Sequence, residues 1–356
     1  MANEILVQKN PNPKPKPDWN NLGFGNYYTD HMFILDYTEG KGWHDPRVVP
    51  YGPLEMDPAT MVLHYAQAAF EGLKAYKTAD GRVLIFRPYD NARRMNNSNE
   101  RLCMPALDPE MFVQAIKTLV TVDKDWIPDA EGTSLYIRPF IFATDVHLGV
   151  HPSHTYKFMI VLSPVGAYYP EGINPVKIYV EKQYVRAVKG GLGFTKAAAN
   201  YAASLKAQEE ANQKGYTQVL WLDGIEKKYI DEVGTMNVFF KINNELITPA
   251  LEDGSLLPGI TRDSTMRLVK EWGIKVNERR LTIEEVYAAH AAGTLEEAFG
   301  TGTAAVISPV GVLNWDEKLI TINDGKTGEL ATRIYDTLTG IQWGKLPDLF
   351  GWTVEV

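Results

Sequence analysis

A single cysteine, Cys103, occurs in 356 residues. No disulfide can form within the chain, and a reducing, cytoplasmic setting suits it. Long apolar runs are also missing. The longest, such as residues 158–162, are far too short to span a bilayer. The opening Met-Ala-Asn-Glu-Ile-Leu has neither a basic n-region nor an apolar h-region, so no secretory signal is expected. Positive charge is outnumbered, with 36 Lys and Arg against 44 Asp and Glu, a net −8. That sign disfavours nucleic acid or an anionic membrane as partner, since both need a basic footprint. No repeat of fixed period runs along the chain, and no Gly-x-Ser-x-Gly hydrolase elbow is present. Gly325-Lys326-Thr327 resembles the end of a P-loop, but Ile320 stands where its first glycine belongs. His147, His151 and His154 gather near Asp145 without a helical His-x-x-x-His spacing or a cysteine, so they read as loop histidines and no metal site is expected.

The composition, 45% apolar and 22% charged, is that of an ordinary globular protein, and the length allows two domains. Residues 1–20 form an arm rich in proline and lysine; proline fixes φ and lacks a donor, which predicts an extended, solvated segment. Strands are expected at 32–37, 83–87, 134–142 and 157–163, with helices at 58–73, 89–102 and 109–122 between them. The Pro- and Gly-rich stretch 165–176 reads as an interdomain linker. After it come strands at 176–181, 218–222, 228–230, 237–242 and 245–248. A helix over 197–214 is closed by Gly215, one over 261–272 by Gly273, and Thr282 with Glu285 makes a capping box. The expected organisation is an α/β (α+β) chain: an N-terminal domain over 21–164 and a C-terminal domain over 177–356.

Five features point to chemistry. Lys196 follows Gly190-Gly191-Leu192-Gly193-Phe194-Thr195 and precedes an Ala-rich helix. A cation at the positive end of a helix is disfavoured, which suits an amine that must act as a nucleophile. Glu232, between two short strands, could face a pyridine nitrogen and keep it protonated. Leu257-Pro258-Gly259-Ile260-Thr261-Arg262 runs into a helix whose N–H groups can cradle phosphate. Gly300-Thr301-Gly302-Thr303 offers small residues and hydroxyls for the same purpose. Arg87, at a strand end, suits bidentate phosphate binding. Each also has a plainer reading: a surface lysine, a hairpin acid, a capped helix, a tight turn, a surface ion pair.

Taken together, these residues resemble the fold-type IV family of pyridoxal phosphate enzymes. Glu232-x-Gly234-x-x-Asn237-Val238-Phe239, Leu246-x-Thr248 and Leu257-x-Gly259-Ile260-x-Arg262 resemble the class IV aminotransferase signature. The nearer resemblance is to branched-chain amino acid aminotransferases. It extends over almost all of the chain beyond the arm, through Phe70-Glu71-Gly72-Leu73-Lys74-Ala75-Tyr76, Leu135-Tyr136-Ile137-Arg138-Pro139 and Gly166-Ala167-Tyr168.

That resemblance implies a cofactor, pyridoxal 5'-phosphate, bound as a Schiff base to Lys196, which also shuttles the proton. It implies that Glu232 pairs with the pyridine nitrogen, and that Tyr201 and Arg186 lie near the phenolic oxygen. Arg87, Ile260, Thr261 and Thr303 would hold the phosphate. Tyr28, Tyr65, Phe70, Tyr136 and Tyr168 would wall the substrate pocket, with Thr235 and Ala304 near the substrate carboxylate. Arg138 would place the distal carboxylate of glutamate. A homodimer is implied, with Leu148 and Val150 on the loop that reaches into the partner's pocket. Where some relatives carry a Cys-x-x-Cys pair this chain has Ala305 and Ser308, so no thiol switch is available there. The expected reaction is reversible amino transfer between L-Leu, L-Ile or L-Val and 2-oxoglutarate. The alternatives are a D-amino acid aminotransferase or aminodeoxychorismate lyase of the same fold type, or a binding protein that has kept the fold without the chemistry; the presence of both Lys196 and Glu232 argues against the last.

Overall fold

The computed structural model describes residues 4–166 and 173–356. The chain divides into two compact units. Unit 1 comprises Met1–Pro170, Thr195–Ala199 and Gly340–Val356, and unit 2 comprises Glu171–Phe194 and Asn200–Thr339. This differs from the expected C-terminal domain over 177–356. Two tertiary pairings draw segments of it into unit 1: Thr353–Glu355 pairs with Val83–Phe86, and Ala197 bridges Ala69. The centre of the expected linker, 167–172, lies outside the described residues.

Unit 1 is built on a nine-stranded sheet whose central strands are His31–Thr38, Thr155–Val165, Ser134–Ala143 and Leu73–Lys77, all paired antiparallel. The helices Pro88–Arg101 and Pro109–Val122 accompany it. The second helix starts as the sequence predicts: Asp108 accepts from the Glu110 N–H and Pro109 takes the first turn, where no donor is needed. Phe112, Ile116 and Leu119 recur at helical spacing and bury fully with Phe33, Ile137 and Phe158 of the sheet.

Three expectations for unit 1 need correction. The helix over 58–73 shrinks to the single turn Val62–Tyr65, ended by Ala66 in the left-handed region at φ 50°. Beyond it Ala68–Phe70 and Leu73–Lys77 are strands on Ser134–Ala143. A short apolar run does not separate helix from strand, and sheet pairing decides. Gly72 sits between these strands because a Cβ there would fall 2.2 Å from the Tyr136 hydroxyl. The strand expected to end at residue 87 stops at Phe86, and Arg87 is the N-cap of the next helix. The arm is extended but not simply solvated. Leu6–Val7 forms a parallel strand on Gly42–Pro50, the Lys14 N–H donates to Asp30 at 2.7 Å, and Lys16 stands over the Trp126 ring at 3.9 Å.

Unit 2 holds a second nine-stranded sheet, in the order Ile230–Val233, Gln218–Leu222, Val176–Glu181, Val306–Trp315, Leu295–Gly302, Asn237–Ile242, Glu245–Thr248 and Val276–Glu278, with Lys318–Thr321 beside Val306–Trp315. It mixes parallel and antiparallel pairs. Its helices are Ala198–Gln213 from Asn200 onward, Ile260–Glu271, Ile283–Ala291 and Glu329–Gln342 up to Thr339. Gly215 and Gly273 follow two of them at positive φ, and Thr282 accepts from the Glu285 N–H at 3.0 Å, as the sequence indicates. The strand expected at 228–230 begins at Ile230, because the Asp223 carboxylate holds the N–H groups of Ile225, Glu226, Lys228 and Tyr229 in a turn. No helix among the described residues is long and apolar enough to cross a membrane.

Candidate active site

In unit 1 the chain delivers Lys196 two residues ahead of the helix Ala198–Gln213. Its backbone is fixed on both sides: the Lys196 N–H donates to Ser98 Oγ at 2.9 Å, and its carbonyl accepts from the Phe70 N–H at 3.1 Å. Lys196 Nζ stands 4.9 Å from the centre of the Phe70 ring. The same ring lies 4.7 Å from the Arg138 guanidinium, which donates to the Tyr136 hydroxyl at 3.1 Å. Four residues singled out by sequence thus share one aromatic and cationic cluster. Cations over ring faces are attracted by the ring quadrupole.

The other unit 1 residues lie around distinct neighbours. Arg87, in the left-handed region at φ 51°, has its side chain buried against Trp352 and paired with Asp90 at 2.7 Å. Tyr28 stacks on Tyr51 with centroids 5.2 Å apart. The Tyr65 hydroxyl donates to the Leu148 carbonyl of its own chain. Leu148 and Val150 are 63% and 82% exposed, an unusual display for aliphatic side chains on one short loop. Tyr168 lies outside the described residues.

In unit 2 the acid is held at its carboxylate. Glu232 Oε1 accepts from the Leu257 N–H at 2.8 Å and from Asn237 Nδ2 at 3.4 Å, and Oε2 lies 3.3 Å from Arg186 Nε. Glu232 is 3% exposed, so its charge has no solvent compensation and depends on these partners. Arg186 in turn donates to the carbonyls of Gly193 and Ser255. A Cβ on Gly193 would fall 2.0 Å from that Ser255 oxygen, so this glycine serves the packing of its own backbone rather than the approach of a ligand. Beside Glu232, the Asp231 carboxyl is pushed up to about 7, first by burial and then by the Glu232 charge, with Arg186 opposing.

The helix Ile260–Glu271 begins behind Gly259, which has no side chain to act as its own cap. The positive dipole of a helix start is complemented by an anion. Thr261 lies in its first turn and is buried. Thr303 and Ala304 occupy the turn between Leu295–Gly302 and Val306–Trp315, as the plainer reading had it, and Thr301 just before them keeps a buried hydroxyl without a hydrogen-bond partner. Thr301 pairs in register with Asn237, the residue that also donates to Glu232. Thr235 is exposed at the turn after Ile230–Val233, and Tyr201 is half-buried on the helix Ala198–Gln213.

One supporting residue, Ser98, escaped the sequence, and so did the part that Leu257 of the signature plays. Ser98 and Leu257 act through a hydroxyl and a backbone N–H brought in by folding, and neither type carries a signal of its own. Lys74 is a buried amine, where Lys196 is half-buried, and desolvation pushes it down to about 8. Asn237 was legible, since the class IV signature contains it.

Residues 68–312 match the family model described as amino-transferase class IV. The chain belongs to the class IV aminotransferases. This class IV aminotransferase is 62% identical over 352 residues to branched-chain-amino-acid aminotransferase 2 of Bacillus subtilis (strain 168), covering 99% of this chain and 97% of the relative. The branched-chain amino acid aminotransferase of Escherichia coli superposes with a TM-score of 0.76 at 29% identity, covering 90% of this chain and 98% of the other. A second branched-chain amino acid aminotransferase, the T.th. enzyme complexed with N-(5'-phosphopyridoxyl)-L-glutamate, superposes at 0.73 and 28% identity, over 90% and 97%. The mixed α/β architecture with two sheets is therefore that of fold type IV. The family implies pyridoxal phosphate, and the residues here suit it. They comprise a lysine, a buried carboxylate fixed at both oxygens, a glycine-capped helix end and a buried hydroxyl still lacking a partner.

Proposed function

We propose that this aminotransferase moves the amino group reversibly between L-Leu, L-Ile or L-Val and 2-oxoglutarate, with Lys196 as the catalytic amine. The observation that carries the reading is likeness over the whole length, 62% identity across 99% of the chain, to a relative named for that substrate class. Pyridoxal 5'-phosphate, when bound, supplies the aldehyde that receives the amino group and a ring that withdraws electrons from the substrate Cα. Lys196 Nζ would take the proton from that Cα and deliver it to the cofactor's aldehyde carbon, C4′. Glu232 holds a proton at the pyridine nitrogen, and its ion pair with Arg186 keeps the carboxylate in place. Tyr201 and Arg186 would lie near the phenolic oxygen. Ile260 and Thr261 at the helix start, with Arg87 and Thr303, would hold the phosphate.

Substrate selection falls to the rings. Tyr28, Tyr65, Phe70, Tyr136 and Tyr168 wall an apolar space for the branched side chain, and Thr235 and Ala304 meet the α-carboxylate. Arg138, donating to Tyr136, meets the distal carboxylate of glutamate when that substrate takes its turn. The relative solved with a phosphopyridoxyl-glutamate supports this second substrate. Leu148 and Val150 complete the pocket of a second copy of the chain, a role their exposure supports. The enzyme works in the cytoplasm, in keeping with its lone cysteine.

The test is turnover of L-Leu and of D-Ala with 2-oxoglutarate as acceptor. Turnover of L-Leu is expected, and turnover of D-Ala alone would end the substrate assignment. Borohydride reduction followed by peptide mapping should place the pyridoxyl group on the peptide containing Lys196. Its appearance on Lys74 instead would overturn the choice of amine.

A further inference from the structure

Arg87 holds a backbone conformation that residues with side chains rarely adopt, at φ 51°. Such a conformation persists only where the surroundings impose it, and residues of this kind gather at ligand clamps. Here the surroundings come from the far end of the chain. The Arg87 N–H donates to the Trp352 carbonyl at 2.7 Å, continuing the pairing of Thr353 with Phe86. On its other side the Arg87 carbonyl accepts from the Asn91 N–H at 3.2 Å and from Asn91 Nδ2 at 2.9 Å.

The side chain leans on the same residue. The central carbon of the Arg87 guanidinium lies 5.4 Å from the centre of the Trp352 ring, within reach of a cation–π contact. Both residues are buried, so solvent screens this contact little. Arg87 Nε donates to Asp90 at 2.7 Å, which ties down one edge of the guanidinium.

The ring is itself held in place. Trp352 stacks on Phe350 with centroids 4.3 Å apart and meets Phe86 edge-on at 5.6 Å. Asp348 secures the turn that carries it. Its carboxylate accepts from the Thr353 N–H at 2.6 Å, the Thr353 hydroxyl at 2.8 Å and the Phe350 N–H at 3.2 Å. Packing alone does not call for an indole here. Trp352 Nε1 is buried with no hydrogen-bond partner among the described residues, a cost that phenylalanine would avoid in the same place. What indole adds is the ring face that attracts a guanidinium most strongly.

We propose that Trp352 is a positioning residue for the cofactor phosphate: its carbonyl fixes the Arg87 backbone, and its ring fixes the guanidinium that binds the phosphate. This role rests on the reading of Arg87 as a phosphate ligand.

The experiment compares the affinity of the full-length chain, freed of cofactor, for pyridoxal 5'-phosphate and for pyridoxal, each titrated by visible absorbance. The two ligands differ only in the phosphate. Trp352→Leu should weaken pyridoxal 5'-phosphate about 5–30-fold and leave pyridoxal within about twofold. Trp352→Phe keeps an aromatic ring in the packed position and should move the same way by about 2–5-fold. Should Trp352→Leu fail to fold, Trp352→Phe decides alone. Equal weakening of both ligands in Trp352→Phe marks a purely structural role and overturns the proposal, as does unchanged affinity for pyridoxal 5'-phosphate. Arg87→Gln separates that failure from failure of the reading beneath it. If Arg87→Gln selectively weakens pyridoxal 5'-phosphate while the Trp352 variants do not, Arg87 keeps its assignment and the role of Trp352 falls. If Arg87→Gln leaves pyridoxal 5'-phosphate unchanged, the assignment of Arg87 falls, and the role of Trp352 with it.

Discussion

The lysine of unit 1 and the acid of unit 2 are secured in opposite ways. Lys196 is held by its backbone, at the N–H by Ser98 and at the carbonyl by Phe70. Glu232 is held by its side chain, with hydrogen bonds to one oxygen and an ion pair to the other. On the proposed function, the amine exchanges one covalent partner for another and needs a fixed root and a movable tip. A carboxylate that must hold one proton position through a whole cycle needs a fixed tip. The contrast explains why aromatic faces surround the first group and charged or amide donors surround the second.

The largest expected effect falls on the movable tip. Lys196→Ala should lower turnover of L-Leu by at least about 10²–10⁴-fold, the usual range for removing a general acid–base, while the thermal melt stays close to that of the unaltered protein. A steady-state assay beside a calorimetric scan measures both. Glu232→Ala should do the reverse in emphasis: it strips a partner from buried Arg186 and should cost about 3–5 kcal/mol of stability. A urea melt that moves by less than about 1 kcal/mol would remove the contrast between the two groups.

Asp231 sharpens the comparison through pH. Its carboxyl is raised to about 7 from an ordinary 3.8. Between those values the folded state holds a proton that the unfolded chain has lost, so this group makes stability fall as pH rises from about 4 to about 7. Asp231→Asn cannot ionise and should flatten that slope. The variant should gain up to roughly 4 kcal/mol over the unaltered protein above pH 7, at 1.36 kcal/mol per pH unit, and little near pH 4. Melts at several pH values test the sign as well as the size. The smallest effect is expected at Ser98→Ala, which removes one hydrogen bond to the Lys196 backbone and should cost about 0.5–1.5 kcal/mol. A fall in turnover larger than that loss implies would show that the root of the lysine governs the position of its tip.

Legibility in the sequence followed locality. Glu232, Asn237, Gly259 and Ile260 fall within one short stretch whose spacing resembles a known signature, and the helix Pro109–Val122 announces itself by Asp108, Pro109 and its buried stripe. What remained hidden was non-local. Nothing near Ser98 suggests Lys196, and nothing near Ala69 suggests Ala197. The helix expected over 58–73 failed for the same reason, since the competing hydrogen bonds came from a strand more than sixty positions away.

Thr353 pairs with Phe86, and the Arg87 N–H donates to the Trp352 carbonyl at 2.7 Å. On a ribosome adding roughly 5–20 residues per second, that edge of the first sheet waits tens of seconds for its neighbour. The whole of unit 2 is synthesised in the interval. The open edge is thus a period of exposure to foreign strands and to chaperones, and the residues that end it also fix the backbone of an arginine assigned to phosphate.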